Sequence, residues 1–111
     1  MNTHKIIDLQ TYRTPNSRVF TGRDRGIEVR EASKIDILEA ECETITIAIP
    51  DDIGSINPSF LEEFLYNVVT KLQPDTFFKK FKFQNNGRYK INNDLHEAVE
   101  RIVREENALV H

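Results

Sequence analysis

TITIAIPDDIGSINPSFLEEFLYNVVTKL, residues 44–72, holds two different periodicities on either side of a turn. Ile45, Ile47 and Ile49 alternate with Thr44, Thr46 and Ala48, the period of a β-strand. No charge falls on either side of this strand, so a central position covered on both faces is expected. From Phe60 the period changes. Phe60, Leu61, Phe64, Leu65, Val68, Val69 and Leu72 recur every three to four residues, which predicts a helix over 60–72 with a broad apolar stripe. Gln73-Pro74-Asp75 is expected to stop it. A strand, a short polar loop and an amphipathic helix in succession form the repeating unit of an α/β layer.

The helix start can be capped in two registers. Ser59-Phe60-Leu61-Glu62 matches the S-x-x-E capping box, in which the serine hydroxyl and the Glu62 carboxylate each take a free amide. Alternatively Asn57 is the N-cap and Pro58 the first helical residue. Glu62 and Glu63 face the positive end of the helix dipole in either register. Such a cap is worth about 1 kcal/mol. Capping by itself accounts for every residue type in the stretch.

Outward from this unit, KIIDLQTY (5–12) reads as a first strand. TPNSRVFTGRDRG (14–26) is rich in turn formers, and Arg13, Arg18, Arg23 and Arg25 fall in or beside it. A helix is expected from about Arg25 to Glu41, with Asp24 as N-cap. Downstream, FFKKFKF (77–83) reads as a third core strand or strand end. Asn85-Asn86-Gly87 marks a turn, and Tyr89–Ile91 is expected to add a short strand. Asp94 with Glu97 resembles a cap, and Leu95, Ala98, Val99, Ile102 and Val103 then line one face of a last helix. The alternation predicts one α/β domain over 1–111, with a mixed, mostly parallel sheet and helices packed against it.

At 111 residues the chain suits a single core. Its net charge of −3 argues against a general nucleic-acid binder. The charge is uneven: residues 34–63 hold one basic and eight acidic side chains. Cys42 is the only cysteine, so no intrachain disulfide forms, which suits a reducing cytosol. MNTHKIIDLQ lacks the pattern of a signal peptide. No apolar run approaches the roughly 20 residues that span a bilayer. A cytoplasmic protein with no membrane association is expected. His4, His96 and His111 are dispersed, without H-E-x-x-H or a cysteine pair, so no metal site is expected. Ser59 has no G-x-S-x-G elbow, and Cys42 is expected to be structural. Neither an enzymatic activity nor a cofactor is predicted.

GSINPSFLEEFL (54–65) following TITIAIPDDI, with Ser59, Phe60, Leu61, Glu62 and Glu63 opening the helix, resembles the STAS-like domain family. These are small bacterial and phage proteins related in fold to anti-sigma-factor antagonists. Pro15-Asn16-Ser17-Arg18 and Gly26-Ile27-Glu28-Val29-Arg30-Glu31 resemble the family's upstream pattern. The resemblance spans roughly residues 5–105. It implies a regulatory module that binds another protein, a kinase-like ATPase or another regulator, through the loop before the helix. In the better-known relatives a serine of that loop is phosphorylated and the phosphate ejects the partner. Here Pro58 stands where that serine would be and Asn57 where an aspartate precedes it. Ser59 remains as a candidate phosphorylation position. The helix dipole favours a phosphate there, whereas Glu62, Glu63, Asp51 and Asp52 oppose it. The expected partner surface comprises loop 51–59, the helix start and the arginine loop, with Asn57, Ser59, Glu62, Glu63, Arg18 and Arg30 as its residues. Arg18 or Arg30 is expected to grip Glu62 or Glu63, as the guanidinium fork suits a carboxylate. Tyr66, Asn67 and Thr70 leave a mild helix face for a homodimer.

Two other classes compete. Arg23 and Arg25 precede a helix in TGRDRG, where free amides favour a nucleotide phosphate or other anion. The stretch lacks both the Walker and the dinucleotide patterns. Lys79, Lys80 and Lys82 interleave with phenylalanines as in a nucleic-acid platform, but a strand with buried rings and snorkelling lysines has the same pattern.

Overall fold

The computed structural model describes residues 3–110. Three strands form the main sheet: β1 (His4–Asp8), β3 (Thr44–Ile49) and β5 (Phe81–Asn85), in the order β1-β3-β5. Both pairings are parallel, with Ile7 beside Ile47 and Ile47 beside Phe83. A second, two-stranded parallel ribbon joins β2 (Val19–Phe20) to β4 (Ser55–Ile56). The helices are α1 (Arg23–Ser33), α2 (Ile35–Glu41), α3 (Pro58–Lys80) and α4 (Asn92–Val110). The α/β class is as expected, and every strand pair is parallel.

Each crossover in the main sheet steps the same way, from β1 to β3 to β5. Right-handed crossovers that all step one way deliver their helices to one face. The burial pattern agrees. Ile45, Ile47 and Ile49 are buried, while Thr44, Thr46 and Ala48 on the opposite side are only half-buried and Ile6 is exposed. The expected double-sided burial of β3 is therefore wrong: its second face carries small, uncharged residues that stay half-buried, with no helix over it among the described residues. The core lies between the covered face and α3, which α1 and α4 flank. Gly26 lets α1 and α3 approach closely. A Cβ there would stand 2.5 Å from the Phe60 carbonyl oxygen and 2.9 Å from Glu63 Cβ.

Several boundaries differ from expectation for local reasons. β1 ends at Asp8, whose carboxylate accepts the Gln10 amide and turns Leu9–Tyr12 into a 3-10 turn. The predicted 25–41 helix is two helices, broken at Lys34 in the left-handed region (φ 57°). It begins at Arg23, with Gly22 (φ 93°) rather than Asp24 as N-cap, and Asp24 lies in the first turn. Gln73 breaks α3 (φ 66°, ψ 158°), but the helix resumes at Pro74 and runs through Lys80. Of the expected 77–83 strand only Phe81–Phe83 is strand: Phe77 lies on α3, Phe81 opens β5, and their buried rings stack at 4.9 Å. Tyr89–Ile91 is not a strand. Asp94 lies within the first turn of α4 and accepts the Tyr89 hydroxyl at 2.6 Å, while Glu97 pairs with Arg101 at 2.8 Å, so the two do not form a cap together. Among the described residues no helix is long and apolar enough to cross a membrane.

Candidate functional site

Parallel strands bring their carboxyl ends to one edge. The loops after β1, β3 and β5 meet there, and the β2–β4 ribbon ties the first to the second. Gly54 N donates to the Arg18 carbonyl at 2.7 Å, and Asn57 N to the Phe20 carbonyl at 2.8 Å. The arginine loop is thereby held over the start of α3. Arg13 fixes it further with a two-pronged hydrogen bond to Asp52 (2.7 and 2.8 Å) and a third bond to the Ser17 carbonyl. This bond from Arg13 holds the Asp52 carboxyl below its ordinary pKa.

The start of α3 uses the Asn57 register. The Asn57 carbonyl oxygen Oδ1 accepts from the Ser59 amide and the Ser59 hydroxyl, each at 2.9 Å, and Pro58 occupies the first turn. The Ser59 hydroxyl donates to the cap and is not itself the cap. Glu62 does not reach back to close a box. Its side chain is 2% exposed and lies between two arginines, with Arg23 Nη1 2.8 Å from Oε2 and Arg101 Nε 3.5 Å from Oε1. Arg23 meets Oε2 as a charge, without the alignment of a hydrogen bond. Glu63 takes Arg23 at 3.4 Å and Arg30 at 3.9 Å, and Arg30 also donates to the Glu63 carbonyl at 2.6 Å.

The bracing expected of Arg18 or Arg30 thus belongs to Arg30, joined by Arg23 and Arg101. The Arg18 side chain has no carboxylate within 4.0 Å among the described residues, and only its carbonyl joins the network. Arg25 donates to the Tyr12 carbonyl and pairs with Glu28 at 3.0 Å. Arg23 and Arg25, the residues of the expected anion loop, therefore both face protein acceptors. Asn57 is exposed, Ser59 and Glu63 are half-buried and Glu62 is buried, so these four residues form a layered helix start and not one flat patch.

A second buried carboxylate escaped the sequence. Glu39, 3% exposed, accepts from Lys71 at 2.7 Å and Lys80 at 3.3 Å, and Lys80 also donates to the Glu39 carbonyl. Burial alone would raise its pKa. The hydrogen bonds from Lys71 and Lys80 outweigh burial and hold it below its ordinary value. Its signal was ambiguous, because a glutamate inside an acidic stretch normally faces water. Lys80 is thereby committed, and Phe77 and Phe81 are buried rather than offered for stacking. Of the helix face proposed for a dimer, Asn67 donates to Asp36 at 2.9 Å. Cys42 is buried at the end of α2. Among the described residues no three His, Cys, Asp or Glu side chains gather as metal ligands would.

Comparison with family models, curated proteins and solved structures finds no match for this chain.

Proposed function

We propose that this protein is a non-enzymatic regulatory module of STAS-like type, which binds a kinase-like ATPase with the carboxyl edge of its sheet. The observation that carries this reading is the construction of the α3 start. An exposed loop, Asp51 to Asn57 with only Ile53 and Ile56 buried, leads into a helix whose first turns are locked by Asn57, Arg23, Arg30 and Arg101. A rigid platform under an exposed loop lowers the ordering cost of docking a protein surface. Asn57 and the exposed Ser55 and Asp51 touch the partner in this reading. Glu62 and Glu63 support them from beneath.

The resemblance of SFLEE and its flanks to STAS-like proteins supplies the partner class, and the parallel α/β layer is consistent with it. Capture of the tagged protein's partner from host lysate, with and without ATP, tests the reading. A stoichiometric ATPase retained by the wild type and lost from an Asp51→Arg, Ser55→Arg variant is the expected result. Equal retention by both forms would remove this edge as the docking surface.

A further inference from the structure

The chain has eight arginines. Six of them, Arg13, Arg23, Arg25, Arg30, Arg101 and Arg104, lie within 4.0 Å of a carboxylate. The other two, Arg18 and Arg88, have no such partner among the described residues, and both line one cleft of about 710 Å³. Lys90, likewise without a carboxylate partner among the described residues, is the third cation there. Asp51 and Asp52 also line it, but Asp52 is neutralised by Arg13. With Asp51 set against the three cations, two positive charges remain.

The cleft lies between the loops that follow β3 and β5, at the carboxyl edge of a parallel sheet. In open α/β sheets this edge is where ligands bind. Its walls are fixed. Gly87 packs directly on the Asp51 carbonyl, where any Cβ would overlap. Asn85 donates to the Tyr89 carbonyl at 2.5 Å, and the Tyr89 hydroxyl donates between the Ile56 carbonyl and Asp94, so the loop bearing Arg88 and Lys90 is tied at both sides. Arg18 stands on backbone that Gly54 holds. Two guanidinium forks and one ammonium on anchored loops match the oxygens of a phosphate group.

We infer that this cleft binds a phosphate-bearing small molecule, its phosphate oxygens held by Arg18, Arg88 and Lys90. Asp51 is left to accept a hydroxyl or amine from the rest of the ligand. This site shares Asp51 with the surface proposed for the protein partner but does not rest on that reading, because a phosphate ligand needs no partner chain to bind. It also differs from the Arg23 and Arg25 site expected of the arginine loop, whose cations are spent on Glu62, Glu63, Glu28 and Tyr12.

Titration calorimetry of the purified full chain with pyrophosphate, with ADP and with sulfate tests it. Saturable binding of pyrophosphate and ADP is expected, with sulfate weaker. Arg18→Ala and Arg88→Ala should each weaken it by about tenfold to a hundredfold, the worth of hydrogen bonds to a charged group. Lys79→Ala, at the opposite edge of the sheet, should leave it unchanged. Tighter binding of ADP than pyrophosphate would support the site and add a contact beyond the phosphates. Equal binding would assign recognition to the phosphates alone. No binding at millimolar ligand, or undiminished binding by an Arg18→Ala, Arg88→Ala variant with wild-type circular dichroism, would overturn the inference.

Discussion

Arg23 lies with Nη1 2.8 Å from Oε2 of Glu62, and the two differ sharply in exposure: the Arg23 side chain is 51% exposed and that of Glu62 only 2%. Removing one partner is therefore not equivalent to removing the other. Without Glu62, Arg23 keeps Glu63, Arg101 keeps Glu97, and both half-exposed heads remain open to water. Without Arg23, a buried carboxylate loses its nearest counter-charge. Arg23→Met is expected to cost about 2 kcal/mol and Glu62→Gln about 1 kcal/mol, because stranding a buried charge costs more than neutralising it. Urea denaturation of the two variants measures the order, and a reversed order would contradict it.

Asn57, not Ser59, caps α3. Asn57→Ala should cost about 1 kcal/mol. Ser59→Ala, which removes a hydroxyl that only donates to the cap, should cost less than half of that. Thermal denaturation of both variants distinguishes this register from a Ser59–Glu62 box, in which Ser59→Ala would be the costlier change.

Glu39 links acid sensitivity to the α2–α3 contact. Its folded pKa lies below its ordinary value of 4.5. A lowered carboxyl pKa stabilises the fold above the unfolded value, and this contribution disappears as pH falls through the folded value. The difference in melting temperature between wild type and Glu39→Gln should therefore be constant near neutrality and shrink below about pH 4.5. A difference that persisted unchanged to pH 3 would show that Lys71 and Lys80 do not act through the Glu39 charge.

Gly26→Ala forces α1 away from the Phe60 carbonyl, and overpacking of this kind costs about 1–3 kcal/mol. Differential scanning calorimetry reads it directly. Loss of cooperativity is expected along with lower stability, since the α1–α3 contact also positions Arg23 and Arg30.

Gln73 adopts φ 66°, ψ 158°, a region that favours glycine. Gln73→Gly should raise stability by about 1 kcal/mol, the strain relieved exceeding the entropy that glycine loses on folding. A destabilised variant would mean that the Gln73 amide, which donates to the Thr70 carbonyl and to Glu106, contributes more than the backbone costs.

Much of this architecture was legible in residues 44–72, because Ile45-Ile47-Ile49 and the Phe60–Leu72 stripe carry two clear periods. What the sequence obscured came from tertiary choices. Thr44, Thr46 and Ala48 suit a covered face as well as a bare one, and only the direction of the crossovers decides between them. FFKKFKF satisfies a strand pattern throughout, yet Pro74 restarts a helix that carries Phe77 inward before the strand begins at Phe81. Two-residue strands such as β2 and β4 leave no periodicity to find. At the candidate site, Glu62 and Glu63 were visible as helix-start residues. Their arginine partners were not, because Arg101 is 39 positions from Glu62 and Arg23 is 39 positions before it. Arg88 and Lys90 carried no motif. They meet Arg18 only because three parallel strands end at one edge.

Hydrogen–deuterium exchange of the purified protein with its captured partner tests the proposal that the carboxyl edge of the sheet is the docking edge. Slower exchange in loop 50–57 and the first turn of α3, with the loop that joins α2 to β3 at the opposite edge unchanged, is the predicted result. Protection confined to the uncovered sheet face around Ile6, Thr46 and Lys82, or to the Tyr66–Thr70 face of α3, would contradict it.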